Sequence, residues 1–423
     1  MSAPAPNTLS IDMASLQDRL DALGQDGALP GGGVCRLALS DADRAGRDRV
    51  KGWMEALGLT IHIDKIGNMI GLRPGREDLP PVMTGSHIDT VATGGLYDGN
   101  LGVLAGLEVI ACLNKAGVTT RRPLAVAVFT NEEGARFAPD MLGSAVDRGV
   151  LSLETALATQ DAQGRTLGAE LTRIGYAGPK EPGHITPACF FELHIEQGPV
   201  LEEEGVPLGA VTGVQGISWM EYQIQGVSNH AGTTPMRLRH DAGYVAAAIA
   251  VAARRIATDF GGDQVATVGV MDLDPGLVNV IARGARVTVD LRNTDETRLQ
   301  QAEQAMAATI AALAASEGVT ITSHRLARFA PVTFDPDLVA LIAALAKSQG
   351  HAVKYLPSGA GHDAQMFAPD CPSAMIFVPS HQGISHNIKE FTAPDSLAAG
   401  ANLLLQAMLT KADEKDTDNR SAP

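Results

Sequence analysis

Apolar positions along this chain fall into two textures. Residues 81–85, 123–130, 188–193 and 373–378 are runs of mostly apolar or small side chains, each long enough for a strand and too short for a helix. Such runs suit strands buried on both faces, as in a mixed, largely parallel sheet flanked by helices. Helical spacing predicts helices over residues 9–24, 41–57 and 334–350, and another that begins at Asn100. Residues 59–72 alternate in strand fashion about a Gly67-Asn68 turn, and Gly31-Gly32-Gly33 reads as a flexible segment.

Between about 217 and 325 the texture changes to strand (219–226), helix (241–258), strand (265–272), strand (285–292), helix (297–317) and strand (320–325). This is a βαββαβ unit, long enough to bury a core of its own. The expected fold is therefore α/β, with a main domain of residues 1–213 and 330–423 interrupted by an inserted domain of residues 214–329.

Charge narrows the choice of partner. With 33 Lys and Arg against 48 Asp and Glu, the net charge is −15, which argues against nucleic acid or an anionic membrane surface. No apolar run reaches membrane-spanning length, and the N-terminus lacks the basic and apolar regions of a secretory signal. Cys35, Cys112, Cys189 and Cys371 are far apart without CxxC spacing, so they read as reduced thiols of a cytoplasmic protein. The charged tail from Lys411 reads as frayed.

The ends of the apolar runs carry the chemistry. The run at 81–85 leads into His87, Asp89 and then Asp98, and the run at 123–130 ends in Asn131-Glu132-Glu133-Gly134. The run at 188–193 ends in His194-Ile195-Glu196-Gln197-Gly198-Pro199, and Ser385-His386-Asn387 follows the run at 373–378. Open α/β sheets place ligands at the carboxyl ends of their strands. Histidines and carboxylates gathered there are costly to bury without a partner, and a metal ion is a good one. The set predicts two metal ions bridged by Asp98, with His87, Glu133, His194 and His386 completing the ligands. Glu132 adjoins Glu133 and points elsewhere, which leaves it as the general base. Asp89 is expected to orient the His87 imidazole. Imidazole and carboxylate ligands suit zinc, manganese, cobalt and nickel alike.

The segments SHIDTV, GGLYDGNLGVLAG, TNEEGARF, LHIEQGPVLE and GISHN together resemble the hydantoinase/carbamoylase family of amidases, from about Asp41 to Phe391. That family belongs to a dinuclear zinc clan with aminoacylases and carboxypeptidases, and His194 stands where the peptidase relatives usually carry a carboxylate. The resemblance implies the same five ligands and the same base. It also implies that the inserted domain is a lid and dimerisation domain, giving a homodimer. By the same resemblance His230, in SNHAGTTPM, helps polarise the scissile carbonyl, and Asn279 and Arg292 hold the substrate carboxylate. Gln197 and the GAGHDA segment with His362 and Asp363 match motifs near the site. The implied activity is hydrolysis of a small ureido acid, an N-carbamoyl-L-amino acid, to the amino acid, carbon dioxide and ammonia. Allantoate amidohydrolase and β-ureidopropionase are alternatives in the same branch. An N-acyl-amino acid hydrolase, a dipeptidase or a non-catalytic binding protein stands further off.

Overall fold

The computed structural model describes residues 9–415. It divides the chain into two compact units, Met1–Thr212 with Thr333–Pro423, and Gly213–Val332. In chain order the strands are β1 (Thr60–Ile63), β2 (Met69–Arg73), β3 (Val82–His87), β4 (Leu124–Phe129), β5 (Cys189–Ile195), β6 (Leu208–Val214) and β7 (Gly216–Gln225). They continue as β8 (Val265–Thr267), β9 (Met271–Asp274), β10 (Gly284–Asn293), β11 (Thr320–Phe329), β12 (Val332–Thr333), β13 (Val353–Ser358) and β14 (Ser373–Val378).

The first unit is built on a sheet of order β1-β2-β4-β3-β5-β14-β6-β12, with β13 also paired to β6. Its centre, β4-β3-β5-β14, is parallel, and β1, β2 and β6 add antiparallel strands outside it. Every residue of those central strands is buried, which is why they read as largely apolar runs. Because the central strands are parallel neighbours, their carboxyl ends share one edge, and the loops that leave them emerge side by side. The helix Asn100–Ala116 is buried from Asn100 through Ile110 and packs on β3 and β5 beneath the helices Met13–Gly24 and Pro394–Asp413. Its first turn therefore sits at the same edge.

The second unit is an antiparallel sheet of order β11-β7-β10-β8, with β9 also on β10. Helices Ala242–Phe260 and Glu296–Glu317 cover one face, around Tyr222, Ile249, Val287, Val289 and Leu299. Burial along β10 alternates, so Val287, Val289 and Leu291 enter this core while Asp290 and Arg292 point to the other face.

Several expectations need correction. His87 is the last paired residue of β3, opposite Phe129, rather than a loop residue beyond the strand. The expected strand at 265–272 is two strands, because Thr288 takes the Val270 N–H on its hydroxyl and the ladder breaks there. The first helix begins at Met13, capped by Asp12, rather than at residue 9. The tail is helical as far as Asp413, whose carboxylate accepts from Arg76 and Arg121, and the rest of the expected fraying lies outside the described residues after 415. Strands β6, β12 and β13 were not legible as such. Among the described residues all four cysteines are free, and no helix is long and apolar enough to cross a membrane.

Candidate metal centre

Asp98 stands at the centre of the site, and its two oxygens face different partners. Oδ1 lies 3.7 Å from His87 Nε2 and 3.2 Å from His194 Nε2. Oδ2 lies 3.2 Å from His386 Nε2, which is itself 3.2 Å from Glu133 Oε2. In each group, His87–Asp98–His194 and Asp98–Glu133–His386, the ligand atoms all lie within 4.8 Å of one another. The five residues come from four separate stretches of chain, and the parallel centre of the sheet brings them together.

Local structure aims each side chain. His87 Nδ1 donates to the Asp89 carbonyl at 2.9 Å, and His194 Nδ1 donates to the Ile195 carbonyl at 2.8 Å, so both rings turn Nε2 inward. Gly99 follows Asp98 with φ of 65°, and a Cβ there would overlap the His87 ring. Asn131, Gln197 and His386 also adopt the left-handed region, at φ of 56°, 58° and 54°. Non-glycine residues held there at strand ends and loops are a mark of functional sites. Glu132 and Glu133 diverge as neighbours should: Glu132 Oε2 lies 3.3 Å from His87 Nε2, and Glu133 Oε2 faces His386.

The donor set fits a divalent cation in each group. Zinc–nitrogen bonds of about 2.0–2.1 Å at tetrahedral angles separate neighbouring ligand atoms by about 3.4 Å. The observed separations of 3.2–3.7 Å bracket that figure. The two groups differ in exposure, for the His87 and His194 side chains are 1% exposed and that of His386 is 50%.

Electrostatics follow from this crowding. Burial works to raise Asp98, but the imidazoles of His194, His386 and His87 hold it well below the ordinary carboxylate range. Burial disfavours a charged His194, yet Asp98, with Glu192 behind it, carries that ring up to about 9. Hydrogen bonds to Asp98 and Glu133 carry His386 up to about 11. Glu132 is pushed well above the usual range, by burial first and then by Asp363, Glu133 and Asp98.

Asp89 acts differently from expectation. Its backbone carbonyl, not its carboxylate, holds His87. The carboxylate instead accepts the backbone N–H groups of Glu132 at 3.2 Å and Glu133 at 3.3 Å, so it shapes the turn that carries the glutamates. The reason is direction: a ring two residues along the same strand end reaches the main chain before it reaches the side chain.

A cavity of about 100 Å³ opens onto these groups, lined also by Gln197, Asp140 and the 360–362 loop. Gln197 donates through Nε2 to Asp98 Oδ2 at 3.0 Å, while its Oε1 is buried without a hydrogen-bond partner. His362 sits edge-on to His194 with ring centroids 4.5 Å apart and is kept neutral by burial and by that neighbour. Three residues at the site escaped sequence reading. Glu192, two positions before His194 on β5, accepts from Ser86 at 2.6 Å and from the Ala364 N–H at 2.8 Å. Ser385 and Glu390 flank His386 and contact the Asp98 turn. The i, i+2 spacing of Glu192 from His194 was the available signal for the first.

The remaining expected residues lie in the second unit. His230 is exposed, and its Nδ1 accepts the N–H groups of Gly232 at 3.0 Å and Thr233 at 3.3 Å, which leaves the ring proton on Nε2. Asn279 is beside it, its carbonyl accepting the Ala231 N–H at 3.0 Å. Arg292 lies on β10 against Asp290 at 2.9 Å, with its guanidinium 5.7 Å from the centre of the Trp219 ring.

Residues 83–410 match the model of peptidase family M20/M25/M40. The chain is 40% identical to an N-carbamoyl-L-amino-acid amidohydrolase of Rhizobium meliloti, over 98% of this chain and 99% of that one. It is 34% identical to a ureidoglycolate hydrolase of Arabidopsis thaliana, over 94% of this chain and 86% of that one. Among solved structures it is similar to an amidase of the hydantoinase/carbamoylase family from Burkholderia multivorans, with a TM-score of 0.94, 44% identity and coverage of 96% of this chain and 99% of that one. Asp98 and its ligand groups lie within the matched residues, and the likeness runs through both units of the fold. The chain therefore belongs to peptidase family M20/M25/M40 and, within it, to the hydantoinase/carbamoylase amidases.

Proposed function

We propose that this chain hydrolyses the ureido C–N bond of N-carbamoyl-L-amino acids, giving the L-amino acid, carbon dioxide and ammonia. The observation that carries the reading is the shared carboxylate: Asp98 divides its oxygens between two imidazole-bearing groups, and the buried Glu132 stands beside one of them. Two divalent cations would be held there, one by His87, His194 and Asp98, the other by Asp98, Glu133 and His386. Bound in such a site, a pair of cations lowers the pKa of water and polarises a carbonyl oxygen.

The protein's own groups supply the rest. Glu132 stands beside His87 and outside both ligand groups, so it is placed to take the proton of the attacking water and return it to the leaving nitrogen. The unpartnered Oε1 of Gln197 offers an acceptor to a ureido N–H. His230 presents Nε2–H, a donor suited to the scissile carbonyl. Asn279 and Arg292 receive the substrate carboxylate, Arg292 by two parallel hydrogen bonds in exchange for its contact with Asp290. These roles require the second unit to act as a lid. The same unit is the natural seat of a second copy of the chain, for Val251, Met271 and Leu273 expose apolar side chains on its helix and edge strand.

Similarity to a ureidoglycolate hydrolase favours ureido acids as the substrate class. Allantoate and N-carbamoyl-β-alanine are the competing members of that class. The test is a substrate panel on metal-reconstituted protein, read as ammonia release. It contains N-carbamoyl-L-amino acids, their D-enantiomers, allantoate and N-carbamoyl-β-alanine, with N-acetyl amino acids followed by amine release. Preference for the N-carbamoyl-L-amino acids is the expected result. Turnover of the acyl substrates alone would overturn the reading.

A further inference from the structure

Glu390 is a buried carboxylate that belongs to no ligand group, yet it touches the turn of one ligand and the loop of another. Its Oε1 accepts the backbone N–H of Tyr97 at 3.0 Å and of Asp98 at 3.1 Å. Its Oε2 accepts from Ser385 Oγ at 3.1 Å. Gly95 is open to this arrangement because a Cβ there would overlap the Glu390 side chain. The carboxylate thus lies directly on the glycine-rich turn that presents Asp98, while Ser385 directly precedes His386.

Ser385 has a choice to make. Its hydroxyl also lies 3.2 Å from Asp98 Oδ2, and a hydroxyl has one proton to donate. Given to Asp98, that proton occupies a lone pair of the oxygen that faces Glu133 and His386. Given to Glu390, it leaves the lone pair open.

Resting on the two-cation reading above, we propose that Glu390 is a positioning residue of the metal centre. It fixes the Asp98 turn through two backbone N–H groups and draws the Ser385 proton away from Asp98 Oδ2, so that the Asp98–Glu133–His386 group can take its cation. A carboxylate is needed because both of its oxygens accept. A glutamine here would use its one oxygen for the two buried backbone N–H groups, since turning it over would leave both unpaired. Its NH2 would then face Ser385, and the hydroxyl proton would pass to Asp98 Oδ2. The effect is confined to one cation, because Ser385 reaches Oδ2, whereas His87 and His194 face Oδ1.

The experiment is Mn2+ binding by equilibrium dialysis on the metal-stripped full chain, alongside the melting temperature. Wild type is expected to take two equivalents. Glu390→Gln should keep the first and bind the second about 10–100-fold more weakly, the usual cost of losing a group that orients a ligand. Adding Ser385→Ala to Glu390→Gln should restore most of the second affinity, because the misdirected proton is gone. Ser385→Ala alone, which does not depend on the glutamine variant folding, should bind the second equivalent at least as tightly as wild type. Two equivalents in wild type with an unchanged second affinity in Glu390→Gln would overturn this inference alone. So would equal weakening of both equivalents with a lower melting temperature, a double variant no better than Glu390→Gln, or weaker binding in Ser385→Ala. Wild type that takes fewer than two Mn2+ would overturn the two-cation reading and this inference with it.

Discussion

Glu132 Oε2 lies 3.3 Å from His87 Nε2, while its neighbour Glu133 turns away to His386. One peptide bond thus separates the proposed base from a proposed metal ligand. Glu132→Gln keeps the shape and removes the proton acceptor. Turnover should fall by about 10²–10⁴-fold, with both equivalents of Mn2+ retained in dialysis. Unchanged turnover would remove Glu132 from the role of base.

Buried carboxylates and imidazoles at the centre should make the fold depend on cations. A ligand that binds only the native state adds about 2.7 kcal/mol at a concentration a hundredfold above its Kd. Dialysis against a chelator should lower the melting temperature by about 3 °C per cation for a protein of this size, and added Mn2+ or Zn2+ should restore it. Identical calorimetric traces before and after chelation would count against a cation at either group.

Arg292 faces Asp290 across 2.9 Å and should exchange that contact for the substrate carboxylate. Lysine keeps the charge but not the two parallel hydrogen bonds. Arg292→Lys should raise KM by about 10–100-fold, on the scale of a hydrogen bond to a charged group, with kcat changed little. A loss confined to kcat would place Arg292 in the chemical step instead.

Asp64 supplies a pH prediction away from the metal centre. It accepts the N–H groups of Ile66 at 3.1 Å and Asn68 at 2.8 Å, but burial outweighs them and pushes the carboxyl up to about 7. Between an unfolded value of about 4 and the folded value, the native state binds the extra proton, so the stability this group contributes falls as pH rises through that window. Carboxyl chemical shifts should titrate with a midpoint near 7 at Asp64. A midpoint in the ordinary carboxylate range would refute the assignment.

Much was legible in the chain before folding. Largely apolar runs marked the buried strands β3, β4, β5 and β14, because a strand covered on both faces shows few polar side chains. The placement of His87, Glu132, Glu133, His194 and His386 after those runs pointed to one edge of one sheet, because parallel strands deliver their carboxyl ends together. Less was legible where a side chain's direction decided its partner. The spacing of Asp89 from His87 suggested a carboxylate on an imidazole, and the ring takes the main-chain carbonyl instead. The partition of Asp98 between two ligand groups depends on which way each oxygen faces, and its partners lie 11, 35, 96 and 288 residues away along the chain. Glu390 stands 292 residues from Asp98, and its contact with that residue's N–H carries no signature in residue type or period. The order of residues determined the central buried strands and the helices of clear period, because burial and periodicity are local properties. Only the tertiary structure decided which oxygen meets which nitrogen, because hydrogen bonds are directional and join atoms that the chain brings together last.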